Sequence, residues 1–161
     1  MYHLAEAYLM ATYISLLAIY LGALIFGTAV VAPLAVSSLD GAAAAAFLRR
    51  YWVVYHRFAV LGGLAFATIA ALGSTASAVP LRYSFLLVCL AGLMTICFYL
   101  AMSLIQSINQ AKDNEDHQRF NRLHRLNVSF VSLGMIVAAL LLAALIYVLP
   151  GQFTFWPTAG E

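Results

Sequence analysis

Two histidines are the residues of this chain best placed to do chemistry. His56 stands in "RRYWVVYHRFAV" and His124 in "RFNRLHRLNVSF", and each is followed by an arginine, Arg57 and Arg125. Two imidazoles at matched depth on different helices, with arginines near the propionates, describe a haem b site with two axial histidines. The same groups joined by amides describe a site for an anionic head group or small polar ligand. Asn109, Gln106, Tyr99 and Asn127 are the polar candidates for that site. A third arrangement needs no ligand: arginines reach to head groups, histidines hydrogen-bond neighbouring helices, and Asn127 joins helices. No carboxylate extrapolates beside His56 and His124, since Asp113, Glu115 and Asp116 sit in a turn and His3 and Glu6 lie towards the opposite face. No nucleophile–base spacing, phosphate loop or nucleic-acid signature is present, so neither catalysis nor a nucleic-acid partner is expected.

The elements that carry these residues follow from composition. Of 161 residues, 65% are hydrophobic and only 9% are charged. Soluble domains run at roughly 45–50% apolar and about 25% charged, so this is an integral membrane protein. A span needs about 20 mostly apolar residues. Four segments qualify, at about 8–31, 52–72, 83–108 and 126–149, the first ending at Pro33 and the last at Pro150. In lipid they must be helical, because the backbone has no other way to satisfy its polar groups. "MYHLAEAY" has no Lys or Arg before the first apolar run, so no cleavable leader is expected. Cys89 and Cys97 share one apolar run and read as small buried hydrophobes.

Helical extensions outside the membrane are expected at about 40–51 and 114–125. Ser37, Ser38 or Asp40 would cap the first, and Asp113 or Asn114 the second. The expected fold is all-α: one transmembrane domain over 1–161, a four-helix bundle of two long helical hairpins. The hairpins are weakly alike, each with a basic helical entry and a His-Arg pair, which suggests a parallel repeat.

Seven of the eight basic residues, Arg49, Arg50, Arg57, Lys112, Arg119, Arg122 and Arg125, lie in the two links on one side, against Arg82 on the other. The positive-inside rule makes that side cytoplasmic and both termini periplasmic. Arg49, Arg50, Arg57, Arg122 and Arg125 are then placed to meet anionic lipid head groups. The apolar tail "LPGQFTFWPTAGE", with Phe153, Phe155 and Trp156, reads as an interfacial belt, or as a dock for a second copy or a larger membrane complex.

Residues three, four and seven apart share a helix face. From His56 that face carries Val60, Gly63, Ala67 and Ala70; from His124 it carries Asn127, Val131, Gly134 and Ala138. Small residues mark helix contacts in membranes, so both histidines extrapolate to the bundle interior. His117 continues the second stripe into water. Thr95, Tyr99, Met102, Gln106 and Asn109 share a face that should also point inward, because polar groups in a span avoid lipid. Tyr13 and Tyr20 add two hydroxyls that need partners.

Two stretches also resemble a known family. "LGALIFGTAVVAPLAVSSLDGAAAAAFLRRYWVVY" (21–55) and "INQAKDNEDHQRFNRLHRLNV" (108–128) are similar to landmarks of domain-of-unknown-function family 4149, the transmembrane-protein-205-like proteins. The first has a span ending in "VAP", a helical link and an aromatic entry to the next span. The second has an Asn after the third span, then a Phe and an "LH" pair opening the fourth. The likeness extends from about Ile14 to Leu145. It implies a four-helix protein of the bacterial inner membrane and supplies no activity. Its family-like positions here are Pro33, Phe47, Tyr55, Asn109, Phe120, Leu123 and His124. His56 is not clearly among them, which weakens the two-histidine haem reading and leaves His124 as the stronger candidate. The function expected is that of an accessory or ligand-binding membrane protein, with a haem-binding redox protein as the alternative.

Overall fold

A computed structural model of the chain describes residues 2–75 and 81–148. The described residues are helical apart from short turns, and four of the helices are long and apolar enough to cross a membrane. Helix α1 runs Tyr2–Phe26, α2 Ala32–Ser38, α3 Gly41–Thr75, α4 Leu81–Asp113 and α5 His117–Ala143. Helix α3 has 35 residues and α4 has 33. At about 1.5 Å per residue both exceed the roughly 30 Å of hydrocarbon. Helix α3 runs unbroken through 41–51 into the second apolar segment, and α5 through 117–125 into the fourth.

The first span does not stop at Pro33. A π-helical turn, Gly27–Val31, joins α1 to α2, and Pro33 sits in the first turn of α2. Proline removes an N–H and crowds the carbonyl one turn back. The wider π turn relieves this, with Ala32 N–H bonding Gly27 O, and the Thr28 hydroxyl bridges the Leu24 and Ile25 carbonyls. Such local adjustments let a membrane helix pass a proline.

The junctions at the basic end differ in construction. Leu39 is extended, and Asp40 caps α3 by accepting from Ala43 N–H at 2.8 Å. Between α4 and α5, Asp116 N–H bonds Ala111 O and Glu115 N–H bonds Lys112 O. That pair of bonds is a Schellman motif. The cap of α5 is Asp116, which accepts from Arg119 N–H, rather than Asp113 or Asn114. Helix α4 runs on to Asp113, and the turn consumes the residues between. Glu115 adopts φ 56°, the left-handed conformation that favours glycine. Glu115→Gly is therefore expected to raise stability by about 1 kcal/mol, read as a higher Tm in detergent; a lower Tm would show that the Glu115 side chain contributes in its own right.

The helices form a ring in the order α1, α3, α4, α5. Helix α4 packs intimately against both α3 and α5, while α1 touches α3 and α5 more sparingly. The two closest seams therefore share α4, so the bundle is not two separable hairpins. Leu17, Leu24, Ala59, Met94, Phe98, Ala138, Leu141 and Leu145 are buried at its centre. Large apolar side chains such as Ile19, Leu61, Leu93 and Ile136 stay exposed on every long helix. A soluble protein would bury them, whereas lipid covers them here.

Glycines set the approach distances. A Cβ at Gly63 would stand 2.6 Å from Thr95 Oγ1, and one at Gly134 would stand 2.8 Å from the Phe98 ring. The ring of Tyr20 lies on Gly62. Three tyrosine hydroxyls tie α1 to α3: Tyr13 donates to Phe66 O at 3.1 Å, Tyr20 to Ala59 O, and Tyr55 to Leu24 O at 3.3 Å. The partners required by Tyr13 and Tyr20 are thus carbonyls of α3. Cys97 is buried, but Cys89 is exposed on the apolar outer surface.

Candidate functional site

His56 is the inward histidine. It is fully buried on α3, one turn after Trp52. Its Nδ1 lies 2.7 Å from Trp52 O and its Nε2 lies 3.2 Å from Asn127 Nδ2. The Asn127 amide also donates to Ala101 O at 2.7 Å. One proton arrangement satisfies all three bonds: neutral imidazole with its proton on Nδ1, so that Nε2 accepts from Asn127. The result is a hydrogen-bonded bridge across α3, α4 and α5. No buried side-chain nitrogen or oxygen among the described residues lacks a partner.

His124 is exposed, although it extrapolated to the interior. The stripe below it is buried as expected: Asn127, Val131, Gly134 and Ala138. One turn above Asn127 the stripe leaves the packed core, and the His124 ring lines an open cleft instead. It stacks flat on Phe120, ring centres 5.6 Å apart and planes 3° apart. The two imidazoles do not fit axial ligation of one haem. Both nitrogens of His56 are engaged within the bundle, and His124 is held at the surface on a different wall. Among the described residues no three His, Cys, Asp or Glu side chains group to hold a metal ion.

The other polar candidates also separate. Tyr99 is 56% exposed and Gln106 is exposed. The inner face of α4 is instead Ala91, Met94, Phe98, Ala101, Ile108 and Ala111. Small side chains that let α3 and α5 approach outweigh the polarity argument at Tyr99, whose hydroxyl sits at the end of an apolar ring. Thr95, Met102 and Asn109 are half-buried at the edge of that face. Arg57 and Arg125 are exposed, and Arg125 Nε bonds Asn121 O at 3.4 Å.

Asn109, Asn127 and His124 meet in one cleft of about 500 Å³ at the basic end, within the size range of small-molecule sites. Its walls come from four elements: Thr28 and Ala29 of the π turn, Leu48, Arg49 and Trp52 of α3, Ile105 and Lys112 of α4, and Phe120 to Met135 of α5. Arg49 is held at the mouth by a bidentate pair with Asp113, at 3.0 and 2.6 Å. Both side chains are about half exposed. Lys112 forms no direct ion pair among the described residues, although its charge also acts on Asp113. A shallower groove of about 560 Å³ adjoins it, sharing Ile105 and Asn109 and lined also by Arg57, Gln106 and Asp113.

Lys112, Trp52 and Thr28 are cleft residues that spacing alone did not assign to a site, and Arg49 was expected only at lipid head groups. Ala45, Leu48, Arg49 and Trp52 do recur at helical spacing and share one face, which was the available signal. The Arg49–Asp113 pair joins residues 64 apart and left no local trace.

Comparison with protein-family models, curated proteins and solved structures finds no match for this chain.

Proposed function

We propose that this multi-pass membrane protein is a binding component without catalytic chemistry, whose cleft at the basic end takes a lipid or other small amphiphile. The basic end is cytoplasmic, both termini are periplasmic, and the membrane is the bacterial inner membrane. On this reading the protein, whose landmarks resemble family 4149, serves as an accessory subunit of a homo-oligomer or larger membrane complex. The apolar tail that would dock it lies outside the described residues.

The cleft is the observation that carries this reading. Its deep walls are apolar, its mouth holds amides and cations, and Ala29, Val128 and Ser132 on its rim are exposed. Native mass spectrometry of gently extracted protein is the test. Wild type should retain an adduct of lipid mass, and Ser132→Phe, which fills the cleft, should lose it. A bare wild-type mass, or an adduct indifferent to Ser132→Phe, sinks the binding reading. Orientation is checked with Asn114→Cys in a Cys89→Ser, Cys97→Ser background. An impermeant thiol reagent should label it only after the membrane is opened.

A further inference from the structure

The shape and charge of the cleft specify its occupant more narrowly, on the premise that the cleft binds an amphiphile. Along α5 the lining runs from Phe120 to Met135. A rise of about 1.5 Å per residue makes that stretch about 22 Å long. Polarity falls along it: Arg49, Lys112, Asn109 and His124 stand at one end, and Val131 and Met135 at the other. A single extended chain topped by a charged group has this form. The charge at the mouth is one Lys and one Arg against one Asp, a net single positive. Arg49 already grips an anion, since Asp113 presents two carboxylate oxygens to its planar fork. A phosphate offers the same two-oxygen geometry. Asp113 thus occupies the place a phosphate would take. It also lines the second groove with Arg57, so a displaced carboxylate finds another cation to face.

We propose that the cleft holds one acyl chain of an anionic glycerophospholipid, whose phosphate is bound by Lys112 and by Arg49 after the guanidinium exchanges Asp113 for it. Asp113 is then an internal competitor that sets the affinity of the site. A zwitterionic lipid carries the same phosphate but brings its own cation, which the net positive mouth repels.

Trp52 lines the cleft, and the chain's second tryptophan is Trp156, so Trp156→Phe leaves one reporter in the full chain. The protein is reconstituted in phosphatidylcholine vesicles containing bromine-labelled phosphatidylglycerol or bromine-labelled phosphatidylcholine. Bromine quenches tryptophan fluorescence on contact. Half-maximal quenching should need several-fold less labelled phosphatidylglycerol than labelled phosphatidylcholine. Lys112→Gln should erase most of that preference. Asp113→Asn should strengthen it at least about threefold, since Arg49 is then free. A brace between helices would behave the opposite way, so weaker binding in Asp113→Asn overturns the competitor role. Where Asp113→Asn fails to fold, Arg49→Gln replaces it; an unchanged preference there overturns the proposal. Equal curves for the two lipids overturn the anionic assignment while leaving amphiphile binding standing. Suppression of the quenching by millimolar inorganic phosphate would show a soluble-anion site with no role for the chain.

Discussion

Leucine in place of Gly63 is expected to lower stability by about 3 kcal/mol, the upper end of overpacking costs. The added Cβ would stand 2.6 Å from Thr95 Oγ1 and 3.2 Å from Thr95 Cα. The second atom is backbone of α4 and cannot turn aside. The first is tied to Ala91 O by a 2.8 Å hydrogen bond. Helices α3 and α4 must therefore separate along the seam that also forms one wall of the cleft. Gly22→Leu is the matching control, because nothing lies within 4 Å of a Cβ there. It should stay within about 0.5 kcal/mol of wild type. Reversible unfolding in mixed micelles, followed by circular dichroism, reads both. Equal losses at the two positions would show that the α3–α4 approach is not limiting.

Asn127→Leu is expected to cost about 2 kcal/mol, measured by the same unfolding experiment. Hydrogen bonds between membrane helices are often worth less, about 0.6 kcal/mol on average. Asn127 exceeds that average because it serves two acceptors on two other helices. Its loss leaves His56 Nε2 buried without a donor, and an orphaned polar group costs more than the bond itself contributed. The double variant His56→Leu with Asn127→Leu should recover most of the loss, since both polar partners are then gone. A double variant as unstable as the two singles combined would show that the side chains do not interact.

Much of the bundle was legible because membrane helices write their contacts in small residues. Gly63 and Ala70 on α3, and Gly134 and Ala138 on α5, are buried as their spacing predicts. Asn127 as a link between helices was legible for the same reason. His124 was misplaced because a stripe gives direction and says nothing of how closely the facing helices approach at that level. Tyr99 and Gln106 were misplaced because polarity was weighed above size. On α4 the alanines at 91 and 101 claim the interior, and Tyr99 and Gln106 are turned outward while Thr95 and Asn109 stay at the edge. Capping by Asp116 instead of Asp113 depends on an α4 that runs on to Asp113, past the end of its apolar segment at about 108. The cleft and the Arg49–Asp113 pair depend on distances across the bundle, which periodicity cannot encode.

The three tyrosine hydroxyls that fasten α1 acquire a different meaning during synthesis. Chains are made from the N-terminus, so α1 emerges ahead of α3. Tyr13 and Tyr20 then reach the bilayer before the helix that carries their acceptors, Phe66 O and Ala59 O. Leu17 and Leu24, fully buried in the finished bundle, wait for the same neighbours. Docking of α1 on α3 is thus the step that gives both hydroxyls their partners.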